Sequence, residues 1–142
     1  MIYRSVIAIM ISAISTIALA GAPSLEKVLN IDSGRQKDWS AMADDGGWNP
    51  GDRWQGITPK NLGISHNKTT GEIISFDVYF DMAGNSAASS PKKIRQILEK
   101  YCGIKSDAWE GSDVTQQRAI GARCSADYTF KSMQAEIHID RK

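Results

Sequence analysis

The chain has 142 residues, 23% of them charged, with 17 Lys and Arg against 16 Asp and Glu and a formal charge of +1 at pH 7. This length suffices for one hydrophobic core but not for two. A balance so close to neutral gives no electrostatic ground for a nucleic acid or an anionic membrane as partner, since both recruit Lys and Arg in excess.

Residues 1–20 read as a cleaved secretory signal peptide. Arg4 is their only charged side chain, residues 6–20 are small and apolar, and Ala18-Leu19-Ala20 forms a small-x-small cleavage site before Gly21. The apolar run is interrupted by Ser12, Ser15 and Thr16 and falls short of the roughly 20 apolar residues that a membrane-crossing helix needs. With no cysteine near residue 20, lipid attachment there is not expected. Removing 20 residues from 142 leaves 122 and takes away Arg4, so 16 basic residues then face 16 acidic ones. The expectation is a single α+β domain over residues 21–142, in the periplasm or secreted, with no membrane contact after cleavage.

An oxidising compartment changes how the two cysteines are read. Cys102 and Cys124 are the only ones, and a lone pair in a small exported domain most simply forms one disulfide. No cofactor or metal site is expected.

Residues 21–60 form an irregular, Trp/Gly/Asp-rich segment. Ser24 is placed to cap a short helix reaching Leu29, and residues 36–43 could add a turn or two around Trp39. Asp44-Asp45-Gly46-Gly47 and Asn49-Pro50-Gly51-Asp52 are turn chemistry. The segment therefore reads as a long structured loop.

Residues 61–142 carry the sheet-and-helix core. Over residues 72–81, Ile74, Phe76, Val78 and Phe80 alternate with Ser75, Asp77, Tyr79 and Asp81, the period of a strand with one buried face. A shorter strand at residues 62–66 would pair with it through a turn at residues 67–71. Asn67-Lys68-Thr69 in that turn is a formal N-glycosylation site, relevant only in a eukaryotic secretory pathway. Ser90 then sits as an N-cap, Pro91 at the first helical position and Gly103 just beyond the end. Between them Ile94, Ile97, Leu98, Tyr101 and Cys102 make one amphipathic face. Lys92, Lys93, Arg95 and Lys100 supply the solvated face.

Residues 104–120 are ambiguous between a helical turn and a short strand at Trp109. Beyond them, Ala122, Cys124, Ala126, Tyr128 and Phe130 share one face, as do Met133, Ala135, Ile137 and Ile139. A turn at Lys131-Ser132 would set Phe130 opposite Met133 and Cys124 opposite Ile139. The order is β-β-α-β-β, an antiparallel sheet of about four strands with the helix on one face and the disulfide stapling helix to sheet.

The uncovered sheet face gathers Asp77, Tyr79, Asp81, Arg123, Asp127, Glu136, His138 and Asp140. Carboxylates beside a histidine can do acid-base work or hold a cation, yet solvated sheet faces commonly carry such residues. His66 is isolated. A second candidate surface is the Trp-rich loop, where Trp48 and Trp54 with Arg53 resemble in kind a sugar-gripping platform or a protein-binding anchor. The same rings could equally pin the loop to the core. Enzyme signatures such as Gly-x-Ser-x-Gly, His-Glu-x-x-His or a Gly-rich phosphate loop are missing. Two Ser-x-x-Lys matches, Ser89 with Lys92 and Ser90 with Lys93, fall at the helix start.

The function expected from the sequence is therefore binding: a small exported protein of the inhibitor or immunity type, acting by contact with another exported protein such as a toxin or hydrolase. The sites expected to bind are Trp48, Arg53, Trp54, Asp77, Tyr79, Asp127, Glu136 and His138, with no catalytic residue assigned. The alternatives are a small secreted hydrolase using Asp77 and Glu136 beside His138, and a glycan-binding module built on Trp48 and Trp54.

Overall fold

The computed structural model describes residues 24–31 and 51–142. The expected signal peptide, the expected turn around Trp39, and Trp48 lie outside the described residues. Within them the chain forms α1 (Leu25–Val28), β1 (Asn61–His66), β2 (Ile73–Asp81), α2 (Pro91–Cys102), β3 (Glu110–Asp113), β4 (Gln116–Ile120), β5 (Cys124–Lys131) and β6 (Gln134–Arg141). The strands make one antiparallel sheet in the order β1-β2-β6-β5-β4-β3. It is an α+β fold as expected, but the sheet has six strands rather than about four.

The two additional strands come from the stretch that was ambiguous in the sequence. β3 is exposed along its whole length and β4 sends only Ala119 into the core, so neither carries the apolar alternation that betrays a half-buried strand.

α2 is specified by its ends and its apolar stripe. The Ser90 hydroxyl accepts from the Lys93 amide at 3.3 Å, Pro91 opens the first turn, and Gly103 takes a left-handed φ of 68° at the C-terminus. Ser90 is thus a helix cap. Ile94, Leu98, Tyr101 and Cys102 are buried against the sheet.

The helix end is fixed to the connection between β4 and β5. The amides of Ala122 and Arg123 donate to the carbonyls of Gly103 and Cys102 at 3.1 and 2.9 Å, satisfying acceptors that a helix end leaves open. Beside them Cys102 and Cys124 are joined, with Cα atoms 4.7 Å apart. Gly121 allows this approach: a Cβ there would stand 2.4 Å from the Cys102 carbonyl oxygen.

The β5–β6 register differs from expectation by two residues. The turn is Ser132-Met133, so Phe130 faces Ala135, Tyr128 faces Ile137 and Ala126 faces Ile139. A shift of two preserves every side chain's face. It also replaces the repulsive Asp127–Glu136 pair of the expected register with Asp127 opposite His138. Met133, expected on the apolar face, is 62% exposed in the turn, and Ala122 is exposed in the β4–β5 connection.

β2 also departs from simple alternation. A bulge opposite Ser65 and His66 turns Ile73 into the core and leaves Ile74 49% exposed.

The N-terminal segment belongs to the core more than to a loop. Ser24 caps α1 through the Lys27 amide, and Leu25, Val28, Leu29, Trp54 and Ile57 are all buried. Trp54 is 0% exposed and meets Phe76 and Tyr101 edge to face, with centroids at 5.4 and 5.1 Å. Its indole N–H has no hydrogen-bond partner among the described residues. The Leu25 amide donates to Asp52 at 2.8 Å, the Gln55 amide to Glu26, and the Tyr101 hydroxyl to the Leu29 carbonyl. These bonds tie the segment to the covered side of the sheet.

Two stability outcomes follow from this packing. Trp54→Ala should cost about 3–5 kcal/mol in guanidinium denaturation, whereas Met133→Ala should stay within about 0.5 kcal/mol. Replacing both cysteines by alanine should cost about 3 kcal/mol for a loop of this size. Equal losses for Trp54→Ala and Met133→Ala would contradict the core described here.

Candidate functional site

The sheet has α2 on one face and, among the described residues, nothing on the other. Strand pairing lines up a single row of residues across that open face: Gly63, Asp77, His138, Asp127, Arg118 and Glu110, one from each strand in spatial order. A second row, nearer the β5–β6 turn, runs Tyr79, Glu136, Thr129, Gln116 and Asp113. Alternation along each strand puts these side chains opposite the buried Phe76, Val78, Ala126, Tyr128 and Ile137.

His138 is the centre of the first row. Its Nδ1 lies 2.5 Å from Asp77 Oδ1 and its Nε2 3.2 Å from Asp140 Oδ1. Carboxylates only accept, so Asp77 and Asp140 together favour the ring form with both nitrogens protonated. Partial burial works to lower its pKa, but the hydrogen bond to Asp77 and the charges of Asp77, Asp140 and Asp127 outweigh it and hold the value above 6.5. Gly63 makes room for this arrangement, since a Cβ there would meet Asp77 Oδ2 at 3.2 Å.

Asp127 sits on the other side of His138. Burial raises its pKa above the ordinary aspartate value, opposed by His138 and Arg118 and reinforced by Asp140 and Glu136. In the second row, the Tyr79 hydroxyl is shifted up first by its hydrogen bond to Glu136 and then by that carboxylate's charge.

Two concavities open on this face. One, of about 360 Å³, is floored by Tyr79, Glu136, Thr129 and Gln116 and edged by Lys60, Asp81, Lys131 and Gln134. Lys60 and Asp81 pair at 3.6 Å at its rim. The other, of about 510 Å³, is lined by Glu110, Asp113, Gln116, Arg118 and Asp127. Gln116 lines both.

The structure therefore brings together Asp77, Asp127 and His138 in one row and Tyr79 and Glu136 in the next. Trp54 does not join them. Large aromatics in a loop-rich segment are the natural source of core area, and here that use consumes Trp54 completely. With its ring buried, it cannot form half of an exposed platform with Trp48. Arg53 is exposed, but it lies on the segment packed on the covered side. Arg123, expected on the open face, instead donates to the Lys100 carbonyl near the end of α2, where a cation is favoured.

Arg118, Gln116, Glu110 and Asp113 were not singled out from the sequence, because the strands that carry them were not legible. Among the described residues, no group of three or more His, Cys, Asp and Glu is arranged to hold a metal ion.

The histidine bridge has a signed consequence for pH. A folded-state pKa above that of the unfolded chain means His138 contributes its full stabilisation below about pH 6.5 and loses it as pH rises through the folded value. The thermal midpoint of the wild type should therefore fall between pH 6 and pH 8 more steeply than that of His138→Gln. Parallel slopes in differential scanning calorimetry would contradict the bridge.

No family model, curated protein or solved structure matches this chain, so its function must be argued from the geometry of the open face.

Proposed function

We propose that this is an exported binding protein of the inhibitor or immunity type, which contacts another exported protein through the open sheet face. The observation that carries this reading is the face itself: six strands wide, uncovered among the described residues, and fixed by a cross-strand charge row. At its turn end Tyr79, 37% exposed, lines a concavity, and Met133 is 62% exposed in the adjacent turn. Aromatic and apolar groups around a recess, ringed by polar residues, have the composition of protein-binding surfaces. A disulfide in a domain this small supports an oxidising compartment outside the cytosol. No helix among the described residues is long and apolar enough to cross a membrane.

A hydrolase remains the second reading, favoured by one observation: the raised pKa of Asp127 beside Glu110 and Asp113 in a concavity. Against it, the carboxylates on both sides of His138 raise its pKa and so favour the protonated ring, which is not a base. A glycan platform loses one of its two rings to the core with Trp54.

The two readings separate experimentally. Residues 21–142, immobilised, should retain a protein from a periplasmic or secreted extract. Thr129→Arg, which blocks the middle of the open face, should reduce capture at least tenfold, and Lys92→Glu on the far side of α2 should not. Equal capture by Thr129→Arg, or hydrolysis of a cell-wall glycan that is lost in Asp127→Asn, would overturn the proposal.

A further inference from the structure

The two concavities adjoin at Gln116, which lines both, and their linings together form a groove that runs across the open face from β2 through β6, β5 and β4 to β3. Four inter-strand steps span about 19 Å, the length of roughly six residues of extended chain. Each concavity alone has the volume of a small-ligand site, and the two taken together have the length of an extended segment.

Charge is distributed unevenly along it. At the β2–β6 end, Lys60 and Lys131 balance Asp81 and Glu136, and the apolar surface is that of Tyr79 with Met133 in the adjacent turn. At the β3 end, Glu110, Asp113 and Asp127 surround Arg118 alone. His138 contacts Asp77 and Asp140 and also acts on Asp127, while Glu110 and Asp113 stand three strands away from it on β3. An occupant complementary to both ends carries an apolar or aromatic side chain over Tyr79 and a cation against β3. Arginine suits the latter, since its planar fork matches carboxylates.

We infer that the groove receives an extended, basic segment of about six residues from the partner protein, with its apolar end at Tyr79 and an arginine at Glu110 and Asp113. This rests on the open face being the binding surface and adds the chemistry of what it binds. The partner is thereby a protein with a protruding cationic loop, as on a basic toxin or enzyme whose active cleft such a contact would obstruct. Alignment of unlike charges would speed encounter and make it salt-dependent.

The probe is a synthetic six-residue peptide with phenylalanine at one end, two arginines at the other and Gly and Ser between. A counterpart carries two glutamates in place of the arginines. Titrated into ¹⁵N-labelled residues 21–142, the arginine peptide should shift the amides of Gln116, Arg118, Thr129 and Glu136. The glutamate peptide should not. Glu110→Lys combined with Asp113→Lys should weaken the arginine peptide at least tenfold, and Glu99→Lys on α2 should leave it unchanged. Equal binding of both peptides, or shifts confined to α2, would overturn the inference.

The outcomes distinguish the two levels of the argument. If protein capture depends on Thr129 but is indifferent to Glu110→Lys with Asp113→Lys, the open face binds and the basic segment is wrong. If capture is indifferent to Thr129, the open face itself is wrong. A dimer of the chain in sedimentation, abolished by Thr129→Arg, would give the face to a second copy and equally overturn the basic-segment inference.

Discussion

The junction between the end of α2 and the start of β5 organises this molecule. A disulfide, two backbone hydrogen bonds from Ala122 and Arg123, and the missing side chain of Gly121 hold the helix terminus against the β4–β5 connection. A helix anchored there by its C-terminus must lie along one face of the sheet, and Ile94, Leu98 and Tyr101 complete that contact. Among the described residues the other face stays open. Asymmetry of this kind is what gives a small α+β domain a broad, rigid surface without a second layer to cover it.

The same asymmetry separates two chemistries. On the covered side, Trp54, Phe76 and Tyr101 meet edge to face, and the N-terminal segment is drawn in by Leu25, Leu29 and Ile57. On the open side, carboxylates from β2, β5 and β6 converge on one histidine. Placing Asp77, Asp127 and Asp140 around a single imidazole is unfavourable unless the ring is charged. The raised pKa of His138 is the response to that crowding, and the ring bridges β2 and β6 through Asp77. The face is preorganised by this bridge, which reduces what a partner must order on binding.

Much of the site was legible once the strands were. Asp77, Tyr79, Asp127, Glu136 and His138 follow from simple alternation in three clear strands, and the pairing of Cys102 with Cys124 follows from their number and from the faces they occupy. Arg118, Glu110 and Asp113 did not, because a strand exposed on both sides has no apolar rhythm. Trp54 left two uses open, anchor or binding surface, for a different reason. A tryptophan among Gly, Asp and Pro looks the same whether its ring faces solvent or the core, and only the neighbours it finds in space decide.

By itself the sequence determined the elements with a strong local code: α2 with both of its caps, the buried faces of β2, β5 and β6, and the α+β class. Local periodicity settles which way a side chain points, because each residue's face depends only on its position in its own element. Tertiary structure alone decided the rest: six strands, the Ser132-Met133 turn, the bulge that exchanges Ile73 for Ile74, and the row across His138. A register shift of two residues keeps every side chain on its face, so alternation is blind to it, and the choice falls to contacts between strands. Here those contacts set Asp127 beside His138 rather than Glu136, and that choice shaped the open face.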